Sequence, residues 1–292
     1  MAQGSPTLRR RELGTVLRML RNEKGLTVDQ VAQRLLCSPS KVSRMETGQR
    51  GATLRDVRDL CDLYGVTDEA ERKRLMTLAR EGKQQGWWQS YDLPYSTYVG
   101  LEAAAVSIKD YDSAVIPGLL QTPDYVRSLH ADVAPQRDAP PLTPDVIDQR
   151  VEERLRRQQL LRRTEPPPLE FWAVLDEAVL HRVIGSPEVM RAQLRQLIDM
   201  SSMANVTVQI LPFTVGAHRA LGSTFNILQF SGPLPDVVYI EGLLGWIFIE
   251  RPEDIARHRN AFERLSEIAA DPGNSIDLIE KTADSFGSAL TL

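Results

Sequence analysis

The sequence predicts a small all-α domain of five helices followed by a larger α+β domain, in which one mixed sheet is flanked by helices. Three observations carry this reading. Up to residue 81 the apolar residues recur at three- and four-residue spacing between Ser, Thr, Asp and Gly punctuation. Alternating runs of strand type begin only at residue 169. The charge also inverts: residues 1–85 carry 17 Lys and Arg against 11 Asp and Glu, whereas 86–292 carry 18 against 28. A chain of 292 residues is comfortable for two domains.

In the first domain, Leu13, Val16, Leu17 and Leu20 form one stripe of a helix over 12–24, which Gly25 ends. Thr27 caps a second helix, with Gln30 as capping-box partner three residues on. Val31, Ala32 and Leu35 are its inner face, Ala32 small enough for a close helix crossing. Ser38 caps a third helix, and Pro39 takes its first position, where a missing N–H costs nothing. Val42 and Met45 point inward, which leaves Ser40, Lys41, Ser43, Arg44 and Thr47 outward, and Gly48 stops the helix. Thr53 caps a fourth helix with Leu54, Val57, Leu60 and Leu63 inward, and a fifth runs over 68–81.

Helices two and three have the proportions of a helix-turn-helix, with small and basic side chains on the outer face of the second. Such a face suits the DNA major groove. Arg44 and Lys41 can donate to guanine O6 and N7, the arginine through two parallel bonds. Ser40 and Ser43 permit close approach, and Thr27, Ser38 and Thr47 complete the candidate surface. Gln49 and Arg50 follow the helix and are better placed for phosphates. The run Arg9-Arg10-Arg11 is read either as a basic arm ahead of the first helix or as a disordered basic leader.

The stretch Ser43-Arg44-Met45-Glu46-Thr47-Gly48 is similar to the S-R-x-E-x-G of the Xre or phage-repressor type of helix-turn-helix, which residues 12–65 resemble. The resemblance implies a structural Glu46, not a base reader. The chain departs from that pattern at Val28, where many members have Gln for a phosphate contact, and at Leu36, where many have a turn Gly. A non-glycine residue held left-handed costs roughly 1–2 kcal/mol.

Gly82-Lys83-Gln84-Gln85-Gly86 opens an expected hinge over 83–97, which separates domains at 1–82 and 98–292. Trp87 and Trp88 begin an aromatic cluster with Tyr91, Tyr95 and Tyr98, suited to a ligand or partner pocket or to packing where domains meet. Beyond it, Leu101, Ala105 and Ile108 share one face of a helix expected over 98–110. A further helix starts at Thr122-Pro123, a proline-rich loop covers 132–144, and a strongly charged helix covers 145–163 with Val151, Leu155 and Leu160 as its thin apolar side. That charged helix is either a dimer surface or a solvated one. Strands are expected at 169–175, 206–211, 224–230, 237–240 and 245–249, and helices at 177–183, 187–203 and 252–270.

Three stretches of this half resemble the C-terminal domain of WhiJ-like actinomycete regulators, a domain of unknown function behind an Xre-type module. They are Pro117-Gly118-Leu119-Leu120-Gln121-Thr122-Pro123-Asp124-Tyr125, Asn205-Val206-Thr207-Val208-Gln209-Ile210-Leu211-Pro212-Phe213 and Asp236-Val237-Val238-Tyr239-Ile240-Glu241. The resemblance implies a transcriptional regulator, a repressor by type, often encoded beside a small partner protein in pairs compared with toxin–antitoxin systems.

No nucleophile elbow, Walker loop, dinucleotide fingerprint or H-E-x-x-H is present, and no Cys/His spacing suggests zinc. No enzyme, catalytic residue, cofactor or metal is therefore expected. The loop residues Gly216-Ala217-His218-Arg219 either hold a ligand or partner through His218 and Arg219 or form an exposed connection. Glu241, at a strand end beside a glycine, is a weaker candidate for a ligand contact. Cys37 and Cys61 fall at apolar packing positions and are read as reduced core residues. No apolar run reaches the ~20 residues that span a bilayer, and Met1-Ala2-Gln3-Gly4-Ser5-Pro6 lacks a signal-peptide core. The expectation is a cytoplasmic, nucleoid-associated repressor that binds a double-stranded DNA operator as a homodimer, with no membrane partner. A small partner protein controls it; a metabolite-gated repressor and an antitoxin-like protein that sequesters its partner are the alternatives.

Overall fold

The computed structural model describes residues 5–132, 142–232, 234–242 and 245–288. The chain divides into two compact units, Met1–Ala104 and Ala105–Leu292. The stretch 83–97 lies inside the first. The fold class is the expected one, helical in the first unit and α+β in the second.

Unit one contains α1 (Pro6–Glu23), α2 (Val28–Arg34), α3 (Pro39–Glu46), α4 (Leu54–Tyr64) and α5 (Glu69–Glu81), then a 3-10 turn at Trp87–Ser90 and α6 (Ser96–Glu102). Leu13, Leu17, Val31, Ala32, Val42, Met45, Val57, Leu60 and Leu75 form one core from the first five helices. Caps set the boundaries: Thr27 Oγ1 accepts from Gln30 N at 3.2 Å, and Thr27 N donates to Gln30 Oε1 at 2.9 Å. The first helix begins six residues earlier than the apolar stripe suggests. Pro6 supplies a preset φ at its first position, and the Ser5 hydroxyl donates to Gly100 O. The arginine run is therefore neither an arm nor a leader. Arg9, Arg10 and Arg11 lie within α1, Arg9 pairs with Glu12 at 3.0 Å and Glu81 at 2.9 Å, and Arg11 is buried.

Unit two is built on a six-stranded sheet in the order β3-β2-β1-β4-β5-β6. Its strands are β1 (Ser107–Asp112), β2 (Glu170–Asp176), β3 (Val206–Leu211), β4 (Phe225–Gln229), β5 (Val237–Gly242) and β6 (Gly245–Ile249). The first three are parallel; the others join antiparallel, so the sheet is mixed. The helices are α7 (Pro123–Asp132), α8 (Pro144–Gln158), α9 (Ala178–His181), α10 (Pro187–Ser201), α11 (Pro252–Ile268) and α12 (Pro272–Ser288). Phe262, Leu265 and Ile255 of α11 bury one face of the sheet against Tyr111, Val174 and Ile227. Most of the proline-rich loop, residues 133–141, lies outside the described residues.

Three sequence expectations give way here. The helix expected over 98–110 stops at Glu102, and β1 takes its last residues. Ile108 and Tyr111 are both fully buried, because β1 is a central strand paired to β2 on one side and β4 on the other. The charged helix α8 buries only part of its thin apolar side, and buries charge beside it. Val151 is buried and Leu155 exposed, while Glu153 and Arg157 are buried, with Arg157 Nη1 donating to Glu153 Oε1 at 3.2 Å. Finally, α12 follows α11 where no element was expected. It packs against α10 and β3, where the Ser275 hydroxyl accepts from Ile210 N at 2.9 Å. Among the described residues no helix is long and apolar enough to cross a membrane.

Candidate nucleic-acid interface

The helix α3 is held from behind by packing, close backbone approach and charge. Val42 and Met45 are buried in the core. Gly14 of α1 lets the two backbones meet, since a Cβ there would lie 2.5 Å from Met45 O and 2.7 Å from Glu46 O. Glu46 is buried and takes a bidentate pair from Arg21 of α1, Nε–Oε1 at 2.7 Å and Nη2–Oε2 at 2.9 Å. Arg21 Nη1 also donates to Leu26 O at 2.7 Å, so one guanidinium ties α1, α3 and the chain ahead of α2. The hydrogen bonds to Glu46 raise the Arg21 guanidinium above its ordinary range despite some burial. Glu46 is thus structural in the geometry itself.

The second anchor is Lys41. Its ammonium lies 2.6 Å from Asp56 Oδ1 at the start of α4. Asp56 Oδ2 accepts from Thr53 N at 2.9 Å and Thr53 Oγ1 at 2.8 Å. Burial pushes the Asp56 carboxyl up, but Lys41 and Thr53 outweigh it and hold it below the usual carboxylate range. Lys41 is half-buried and tied sideways, whereas the sequence alone reads it as a groove-facing donor.

What remains on the outer face is Ser40, Ser43 and Arg44, all exposed. Arg44 takes part in no ion pair among the described residues. Thr27 and Ser38 are exposed at the N-termini of α2 and α3, and Ser38 Oγ accepts from Lys41 N at 3.2 Å. Gln49 and Arg50 are exposed just past α3, and half-buried Thr47 turns its hydroxyl back onto Ser43 O at 3.1 Å. The turn between the helices keeps the left-handed conformation at Leu36, with φ of +50°. Gly48 ends the third-helix segment at φ of +70°, where a Cβ would also meet the backbone of Arg11 at 2.8 Å.

The other candidates are carried by other segments of the chain. Trp88 is buried within unit one beneath Gly86 and Gly100, and Trp87 meets it edge-on at 5.9 Å. In unit two, His218 lies edge-on to Tyr111 at 5.9 Å with both ring nitrogens buried, while Arg219 is exposed. Among the described residues no group of three or more His, Cys, Asp or Glu could hold a metal ion. Of the two free cysteines, Cys61 is buried in the core and Cys37 is half-buried in the turn. Sequence reasoning missed Gly14, Arg21 and Asp56. A mid-helix glycine and the Thr53/Asp56 capping spacing were the available signals for two of them; Arg21 left none.

Residues 12–75 match the family model described as Helix-turn-helix domain. Residues 95–281 match the one described as Domain of unknown function (DUF5753). Neither the curated proteins nor the solved structures give a match to this chain. A helix-turn-helix domain points to a DNA-binding regulator rather than an enzyme, and the second match spans more than half of the sequence. By that match the chain belongs to the DUF5753 family, here carried behind a helix-turn-helix domain.

Proposed function

We propose that this protein is a sequence-specific transcriptional repressor of the Xre type, resembling the WhiJ-like regulators. In this reading α3 enters the major groove of its operator. The observation that carries it is the division of labour on α3. Glu46 and Lys41 are spent on anchoring, and Ser40, Ser43 and Arg44 are left exposed on one face. Arg44 reads a guanine through two bonds, and the two serines allow the helix to sit close. Thr27, Ser38, Thr47, Gln49 and Arg50 contact phosphates or flank the groove. The positive excess of residues 1–85 serves this end, and the acidic remainder stays off the DNA.

One such module reads a short half-site, so two copies act together as a homodimer on half-sites about one helical turn apart. The DUF5753 unit receives the signal, from a small protein encoded nearby; an antitoxin-like pairing with that protein is a variant of the same scheme. A small metabolite is the second reading, favoured by a crevice of about 230 Å³ in unit two at the end of β1. The signal changes the spacing of the two reading helices, which requires that it bind the two arrangements with different affinity.

The test is selection of duplexes from a random pool by the full chain, followed by salt-dependent binding of variants. Arg44→Ala should cost about 1–3 kcal/mol at one base pair and relax specificity there. Arg50→Ala should weaken all sequences alike and lower the salt slope by about one. A pool that never enriches overturns the reading, and equal loss on selected and random DNA makes Arg44 a phosphate contact.

A further inference from the structure

Asp56 does two jobs with two separate oxygens. Its Oδ2 accepts from Thr53 N at 2.9 Å and Thr53 Oγ1 at 2.8 Å, which closes the cap of α4. Its Oδ1 lies 2.6 Å from the Lys41 ammonium. The cap needs an oxygen at this place, not a charge. The charge is directed at Lys41.

The helix α3 carries two cations, Lys41 and Arg44, and the fold treats them differently. Arg44 is exposed and takes part in no ion pair among the described residues. Lys41 stands three positions earlier, which makes it a neighbour of Arg44 on the helical surface. Its side chain is 24% exposed, and its ammonium is spent on a carboxylate that is 12% exposed. A DNA phosphate and Asp56 would compete for that one ammonium. A single phosphate contact is worth about eightfold in affinity at 0.1 M salt, from a slope of about 0.9 per phosphate. A hydrogen bond between charged groups is worth about ten- to a hundredfold, and more where parting leaves a buried carboxylate uncompensated. The pair therefore outlasts the encounter with DNA. Burial is outweighed by Lys41 and Thr53, so the Asp56 carboxyl stays below its ordinary range and is charged at neutral pH.

We infer that Asp56 is a positioning residue that acts through Lys41: it withholds the ammonium from the DNA backbone, so that unit one grips a duplex of any sequence with one phosphate contact fewer than its cations allow. The inference rests on the proposed reading of α3 as the groove helix. It adds to that reading a device that limits sequence-independent affinity and shortens the time spent on DNA other than the operator.

The experiment is titration of the full chain with a random-sequence duplex across a range of salt, paired with ethylation interference on the selected operator. Asp56→Asn keeps one oxygen for Thr53 and turns an amide N–H toward Lys41. It should tighten the random duplex about eightfold at 0.1 M salt and steepen the salt slope by about 0.9. One further phosphate should appear in its interference pattern. Adding Lys41→Met to this variant should return slope and pattern to those of the unmodified chain. Asp29 is exposed and takes part in no ion pair among the described residues, so Asp29→Asn adds the same charge but releases no cation, and the slope should not move. A purely structural Asp56 predicts the opposite sign, weaker binding with no steeper slope. That result, or a steeper slope that survives Lys41→Met, overturns the inference. Lys41→Met alone gives an answer that does not depend on how Asp56→Asn folds. It should delete no phosphate from the pattern of the unmodified chain, and loss of one overturns the inference. A pool that never enriches, while Asp56→Asn still gains on random duplex, refutes the operator reading alone. An enriched pool with an unchanged Asp56→Asn slope refutes the withholding of Lys41 alone.

Discussion

Leucine at position 36 should be a worse residue for this fold than glycine. Its φ of +50° makes it the one non-glycine residue at positive φ among the described residues. The clash of its Cβ in that conformation costs roughly 1–2 kcal/mol. The side chain returns little, since Leu36 is 94% exposed. Leu36→Gly removes the clash and gives back about 0.5–1 kcal/mol through the freer unfolded chain. The net expectation is a gain of about 0.5–1 kcal/mol, or roughly 2–8 °C in the midpoint of a unit this size. Urea denaturation followed by circular dichroism, with an unchanged m-value, is the assay. Leu36→Ala supplies the control, because it keeps the Cβ and loses no packing, so its effect should stay within about 0.5 kcal/mol. If the glycine variant is destabilised, or if alanine and glycine gain equally, the strain argument is wrong.

Other perturbations probe the same framework. Gly14→Ala should lower the stability of unit one by about 1–3 kcal/mol and weaken DNA binding with it, because the new Cβ faces two backbone carbonyls that cannot step aside; thermal unfolding and operator titration read both. Glu46→Ala leaves a nearly buried guanidinium uncompensated and should cost about 3–5 kcal/mol, whereas the double change Arg21→Leu with Glu46→Leu should recover much of that loss in the same denaturation assay. Burial, with the guanidiniums of Arg154 and Arg150, pushes the His130 imidazole down to about 4. The folded state therefore refuses a proton that the unfolded chain accepts. The contribution of His130 is complete above about pH 6.5 and is lost as pH falls toward 4. Urea midpoints across that window should decline, and the decline should flatten in His130→Gln.

Local signals were the legible ones. The capping pairs Thr27/Gln30 and Ser38/Pro39 act within one helical turn, so their chemistry is written in adjacent residues and the observed caps follow it. The strand at 206–211 is equally local, an alternating run ended by Pro212. What sequence could not supply was long-range compensation. The segment ending in Ile108 has helical spacing, and only strand partners 60 to 120 residues away make it β1. A face of Val151, Glu153 and Arg157 looks solvated until the pairing of its charges is seen. On α3 the sequence separates Val42 and Met45 from Ser40, Ser43 and Arg44 as the structure does, but Thr47 and Lys41, read as outward, are half-buried. The partner of Lys41, Asp56, is fifteen positions away on the next helix.

The anchoring of α3 from behind has a consequence for how such a protein diversifies. The residues that hold the helix in place are Gly14, Arg21, Val42, Met45, Glu46 and the Lys41–Asp56 pair. None of them is Ser40, Ser43 or Arg44. The fold therefore leaves these three positions open to exchange, at little thermodynamic penalty for surface sites of this kind. On the proposed reading, a duplicated copy acquires a new operator by changing those three letters alone, while the scaffold behind them and the whole of unit two pass on unaltered.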